Sequence, residues 1–175
     1  MVGNFIADHV KGKEFLNFEE EIQSGILLHR RIDTFTDSHL VVEASKKRLH
    51  PHFHKYSPVI VDMFYDHFLA KQWENYSAIS LQEFSEKVYS VLEKHQSVFP
   101  ERTQQMLFYM KKENWLLGYK YVEGINIALT GMSHRTRFKS NFENAASFLK
   151  RDYESYKNEF ITFFPELKNY CESSY

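Results

Sequence analysis

SPVIVDMFYDHFLA, residues 57–70, decides the fold. Proline suits the first turn of a helix, and Ser57 before it is the expected N-cap. The segment it opens, to about residue 74, is apolar on most faces, as a helix at the centre of a helical domain would be. Two acids interrupt it. Asp62 and Asp66 stand at i, i+4 and share a face, while His67 is rotated by about 100° from Asp66. Acids in so apolar a helix are expected to be at least half buried. An unpaired buried carboxylate is costly, so arginine, lysine, backbone donors or a metal must satisfy it.

The same periodicity runs outward along the chain. Gly and Pro are scarce, and apolar residues recur mostly three and four apart. Helices are expected at about 4–11, stopped by Gly12; at 18–36; and at 40–50, ended by Pro51. HPHFHKYSP, 50–58, reads as a loop. A helix at 80–95 opens on S-L-Q-E, a capping box. Another starts near Glu101, breaks at Asn114 or Gly118 and resumes through GINIALTGM. A last long helix covers 141–163, with Pro165 marking a break before a short helical tail. No repeat, low-complexity tract or linker interrupts this pattern. The reading is one compact all-α domain of six to eight helices over residues 1–175.

Composition agrees. The 175 residues are 43% hydrophobic and carry sixteen Phe and eleven Tyr, which points to a core of large rings. A formal net charge of −1 argues against a polybasic nucleic-acid binder and against an acidic tail. Cys171 is the only cysteine, so no intramolecular disulfide is expected. No apolar run approaches the ~20 residues of a membrane span. No signal peptide is visible, and the cytoplasm is the default expectation.

A second cluster lies in HRRIDTFTD, residues 29–37. His29, Asp33 and Asp37 follow one another at i, i+4 and i+8 and stay near one helix face. If this helix packs antiparallel to the one bearing Asp62, Asp66 and His67, imidazole and carboxylates converge. Such mixed N and O donors suit Mn, Fe, Zn or Ni. The competing reading is a set of ion pairs with Arg30, Arg31 or Arg135, or simply a solvated face. Asn4 and Asp8, again i, i+4, offer a further oxygen ligand. His50, His52 and His54 alternate as a surface metal clip would, or are exposed loop residues. GMSHRTRFK concentrates Arg135, Arg137 and Lys139, either to bind phosphate or an acidic protein or as a solvated helix end. No phosphate loop, nucleophile elbow or Cys–His pair is present. The residues alone point to a helical metal-dependent hydrolase.

GNFIADHVKG, GILLHRRIDTFTD, SPVIVDMFYDHFLA, NWLLGY and the GM-x-x-R of GMSHR resemble, in that order, the acyl carrier protein phosphodiesterases. The resemblance covers nearly the whole chain. It implies kinship with HD-type phosphohydrolases and Mn²⁺-dependent removal of 4′-phosphopantetheine from holo acyl carrier protein. Within it Asp8, His29, Asp33 and Asp66 are the expected metal ligands. Asp62 is the expected outer base or further ligand, and His67 the expected acid or orienter. Arg30 or Arg135 would grip the phosphate. Basic patches at KKR (46–48) and RTRFK would steer the acidic carrier. The pattern departs from the family in two ways. A histidine-bearing N-F-L-A-H-like stretch precedes G-N-x-x-A-D in the family and is expected to be absent here. HD-type enzymes also carry a contiguous His-Asp, whereas the order here is Asp66-His67. Two other readings remain: a helical phosphohydrolase for another phosphoester such as a nucleotide, and a non-catalytic helical binding protein.

Overall fold

The computed structural model describes residues 1–134, 136 and 139–173, and among these there are helices and turns but no strands. The α-helices are α1 (Val2–Ile6), α2 (Glu20–Ser38), α3 (Leu40–Phe53), α4 (Ser57–Lys71), α5 (Leu81–Lys94), α6 (Glu101–Lys112), α7 (Trp115–Gly118), α8 (Val122–Ser133), α9 (Ala145–Arg151) and α10 (Tyr153–Glu172). Two of them, α1 and α7, are little more than one turn long, and the remainder match the all-α expectation. Among the described residues, no helix is long and apolar enough to cross a membrane.

Helix α4 is central, with Ile60, Val61, Phe64 and Phe68 fully buried. One apolar cluster gathers α3, α4, α8, α9 and α10 around these side chains. A second joins Ile6 of α1 and Ile26 of α2 to Leu92 of α5 and Leu107 of α6. Helix α2 links them, since its Phe35 packs on the first cluster and its Ile22 and Ile26 belong to the second.

Local chemistry explains the element ends. Ser80 and Glu83 close the expected capping box at α5. Asn114, at φ 46°, turns the chain left-handed and separates α6 from α7. Gly12 adopts φ 49°, as the stop after the first helical segment requires. Ser57 is the first residue of α4 rather than its cap, and its hydroxyl donates to the His54 carbonyl.

Neither proline breaks its helix as the sequence reading expected. Pro51 lies inside the last turn of α3, which ends only at His54, whose φ of 47° takes the backbone out of the helical region. The HPHFH stretch is therefore mostly helical, not loop. Pro165 sits within a continuous α10. A proline inside a helix costs about 3 kcal/mol. Here Tyr156, Phe160 and Phe163 lie before it, and half-buried Leu167 and Tyr170 after it, so packing on both sides holds the helix together. The actual break is at Asp152, between α9 and α10, where the backbone opens to φ −110°, ψ 30°.

Candidate metal centre and cleft

Helix α1 crosses α2 with almost no space between the backbones. A Cβ on Gly3 would lie 2.0 Å from the Ile22 carbonyl oxygen, and one on Gly25 would lie 3.0 Å from Gly3 Cα. The approach leaves no room for a Cβ on Gly3, and one on Gly25 would press the two backbones apart by a few tenths of an ångström. It sets the turn after α1, and Asp8 with it, directly beside the next turn of α2. The stripe of α2 that buries Ile22 and Ile26 against α1 continues, one and two turns on, as His29 and Asp33.

Three side chains converge there. His29 Nε2 is 3.2 Å from Asp8 Oδ1 and 3.2 Å from Asp33 Oδ2. One donor atom from each residue can be chosen so that all three lie within 4.8 Å of one another. The hydrogen bond to Asp8 raises the His29 pKa above its ordinary value and lowers that of Asp8. Asp33 shares the same nitrogen, yet its pKa is raised, first by burial and then by repulsion from Asp8 and Asp37. Nε2 therefore carries a proton pointed at two carboxylates. One nitrogen and two oxygens around a single proton form a donor set that a divalent cation fits, with the proton displaced.

The cluster stands at one end of an open cleft of about 640 Å³. Helix α2 contributes His29, Ile32, Asp33, Thr36 and Asp37, and α4 contributes Pro58, Val59, Asp62, Tyr65, Asp66 and Leu69. Both sets follow helical spacing, so each is one face. Helix α10 supplies the third wall with Phe160, Phe163, Phe164 and Leu167. Burial pushes Asp66 up to about 7, helped by repulsion from Asp62. Burial also pushes Asp62 up to about 6, with Lys46 pulling the other way. Water reaches both residues by surface area, so they are exposed in that sense, while protein encloses them on their other sides. A carboxylate on a cleft wall meets both descriptions, and the upward direction follows from the scarcity of water around it. Among the described residues, neither acid has a hydrogen-bond or ion-pair partner.

Several residues singled out in the sequence lie elsewhere. His67 is fully buried and outside the cleft. Its Nδ1 is 2.9 Å from the Tyr119 carbonyl and its Nε2 is 3.0 Å from the Tyr153 hydroxyl. A carbonyl only accepts, so Nδ1 carries the proton and Nε2 accepts from Tyr153. Burial lowers the His67 pKa and keeps the ring neutral. An acid role in the cleft does not fit this position; the contiguous Asp66-His67 pair is divided between cleft and core. Arg30 donates to the carbonyls of Val10 and Gly12 and lies over the Phe15 ring, away from the cleft, so it does not reach a phosphate held there. Its guanidinium braces the turn that carries Asp8.

KKR is not a free basic patch. Lys46 pairs with Asp37 at 2.7 Å, and Arg48 makes a forked pair with Glu159 at 2.6 and 2.9 Å. Only Lys47 projects outward, 76% exposed. Lys139 is exposed beside a separate hollow lined by Ser140 and Asn141. Arg135 and Arg137 lie outside the described residues. Sequence reasoning did not include the α10 wall in the site, although Phe160, Phe163, Phe164 and Leu167 at i, i+3, i+4 and i+7 mark one helix face.

One imidazole and five carboxylates thus line a single cleft between the helices. The chain belongs to the acyl carrier protein phosphodiesterase family, whose model matches residues 1–167. It is similar to the acyl carrier protein phosphodiesterase of Pectobacterium atrosepticum, with 30% identity over 95% of this chain and 87% of that protein. The proteins of that name from Yersinia pestis and Serratia proteamaculans are 29% and 28% identical, again over 95% of this chain and 87% of theirs. No solved structure matches.

Proposed function

We propose that the protein is a metal-dependent phosphodiesterase that releases 4′-phosphopantetheine from holo acyl carrier protein, with Mn²⁺ as the cation. Family membership supports the reaction. The single observation that supports the metal is the convergence of Asp8, Asp33 and His29 Nε2 at one point. In this reading Asp8, His29 and Asp33 hold the cation, and Asp66, outside that trio but on the α4 wall of the same cleft, is the further oxygen donor. When bound, a divalent cation supplies Lewis acidity at neutral pH, acidifying water and polarising a phosphoryl oxygen.

The chain's own residues do the rest. His29 must give up its Nε2 proton for the site to load, so loading is favoured as pH rises. Asp62, raised to about 6, is ionised at neutral pH yet a stronger base than an ordinary carboxylate. It takes the proton from the attacking water, at a carboxylate oxygen on the same wall as Asp66. The α10 wall limits water in the cleft. The serine oxygen of the carrier is the leaving group, and its proton comes from solvent or from Asp62 in its protonated form. His67 and Arg30 act by position only: one ties α4 to the residues around Tyr119 and Tyr153, the other braces Val10 and Gly12.

A cytoplasmic location and the absence of a nucleic-acid partner follow from a carrier-protein substrate. The test is incubation with Mn²⁺ and holo acyl carrier protein, with Asp66→Ala as control. Release of 4′-phosphopantetheine by the native protein, and not by the variant, is expected. Turnover of small nucleotides alone would give the reading to a different phosphohydrolase. Binding of no metal would end it.

A further inference from the structure

The chemistry proposed above uses only the acidic residues of the cleft. Its α10 wall is apolar. The charged residues that line the cleft, Asp8, His29, Asp33, Asp37, Asp62 and Asp66, lie on α2, on α4 or in the turn after α1. Helix α10 contributes only Phe160, Phe163, Phe164 and Leu167. Phe160 and Phe163 are buried, but Phe164 and Leu167 are half-exposed, as is Leu69 across from them on α4, and Val59 is 40% exposed. Apolar surface kept open to water in a cleft is a cost unless something covers it.

This wall is also held in place. Phe164 meets the edge of Tyr76 at 4.8 Å and stacks on Phe160 at 5.2 Å. Two polar ties fix α10 itself. Glu159 receives Arg48, and His39 Nε2 is 3.1 Å from Glu166. A binding surface fixed before the ligand arrives loses less on binding.

From the wall we infer a specificity determinant: Phe164 and Leu167 of α10, with Leu69 of α4, seat the uncharged pantetheine arm of the substrate. This rests on the phosphodiesterase reading and assigns it a subsite. If phosphorus sits at Asp8, His29 and Asp33, whatever is esterified to it within the cleft runs along α10. The acids lining the cleft repel an anionic group there, and α10 contributes no charged residue to pair with one. The occupant must be neutral and partly apolar. Pantetheine meets both conditions: two amides, a thiol and no charge, with a quaternary carbon bearing two methyl groups next to the carbon that carries the phosphate oxygen.

The experiment separates the arm from the phosphate. Pantetheine and inorganic phosphate are titrated separately, by calorimetry or NMR, into the Mn²⁺-loaded protein and its Leu167→Ala and Phe164→Leu variants. Melting curves check that both variants fold. Each variant removes about two methylene equivalents of contact, so pantetheine is expected to bind roughly tenfold more weakly. Phosphate and Mn²⁺ affinities stay unchanged. With holo acyl carrier protein the variants raise KM and keep kcat. The inference is overturned if the native protein does not bind pantetheine, or if the variants weaken pantetheine and phosphate alike. Failure to release phosphopantetheine would overturn the proposed reaction instead, and the pantetheine titration would still decide whether α10 binds the arm.

Discussion

Gly3→Ala tests whether the α1–α2 crossing builds the metal centre. The new Cβ would lie 2.0 Å from the Ile22 carbonyl oxygen and 2.9 Å from the Ile26 nitrogen, both backbone atoms that no rotamer change can move. Relief to a tolerable 3.0 Å requires α1 to retreat by about 1 Å, because the packed interior leaves no slack. The contact between His29 Nε2 and Asp8 Oδ1, now 3.2 Å, would open to about 4 Å, beyond hydrogen-bond reach. Overpacking of this kind costs about 1–3 kcal/mol. For a chain of this size that lowers the melting midpoint by roughly 2–12 °C. Losing Asp8 as a ligand should weaken Mn²⁺ by at least about tenfold, roughly 1.4 kcal/mol. The assay is differential scanning calorimetry across a Mn²⁺ titration, because a ligand of the native state raises its melting point. Gly131→Ala is the control, since a Cβ there meets nothing within 4 Å and no loss is expected. A Gly3→Ala protein that melts and binds Mn²⁺ like the native one would refute the reasoning.

Three further outcomes follow. In chelator, Asp66→Asn should stabilise the protein above pH 7. A carboxyl raised from 3.8 to about 7 destabilises the fold increasingly as pH climbs through that window, by about 4 kcal/mol at face value and about 1–2 kcal/mol once water in the cleft is allowed for. Urea melts should show a minor difference at pH 5 and the full one at pH 8, and the variant should lose its Mn²⁺ response. His67→Phe removes the donor to the Tyr119 carbonyl and the acceptor of the Tyr153 hydroxyl, so denaturant melts should show a loss of about 1–3 kcal/mol. Turnover per folded molecule should survive, and its abolition would restore His67 to the chemistry. Glu159→Gln strands the guanidinium of Arg48, 28% exposed, and should cost about 2–4 kcal/mol, read by the same melts.

The parts of the site that sequence revealed are those that lie within one helix. His29 and Asp33 on α2, and Asp62 and Asp66 on α4, are adjacent because of helical period alone, and the structure keeps each pair on one cleft wall. The helical content was legible for the same reason. What depends on contacts between helices was not. Arg30, Lys46 and Arg48 look free in sequence, but each is committed to a carbonyl or a carboxylate by tertiary packing. His67 differs from Asp66 by one position, and that rotation sends it into the core. Pro51 and Pro165 were read as stops from local rules, yet the apolar stripe of α10 outweighs the local penalty at Pro165. The Gly3–Gly25 contact was present in the motifs GNFIAD and GILLHRR, where glycine looks like a turn residue rather than a crossing point.

The arginines make the final argument for a cation. The least costly way to stabilise Asp62 and Asp66 would be a guanidinium in the cleft, since a forked pair would lower both pKa values. Two candidates on the neighbouring helices point away from them. Arg30 reaches back to the turn after α1 and Arg48 across to α10. Lys46 comes nearest, and its ammonium is bonded to Asp37. The fold thus lines one cleft with Asp8, Asp33, Asp62 and Asp66, and among the described residues the His29 proton lies between the first two while Asp62 and Asp66 have no ion-pair partner. Burial first, and repulsion among these acids after it, raises Asp62 and Asp66. Under the proposed function, this acidity is the place for a mobile positive charge. A divalent ion there would bring more charge against those acids than the proton on His29 does, and more than a lysine could.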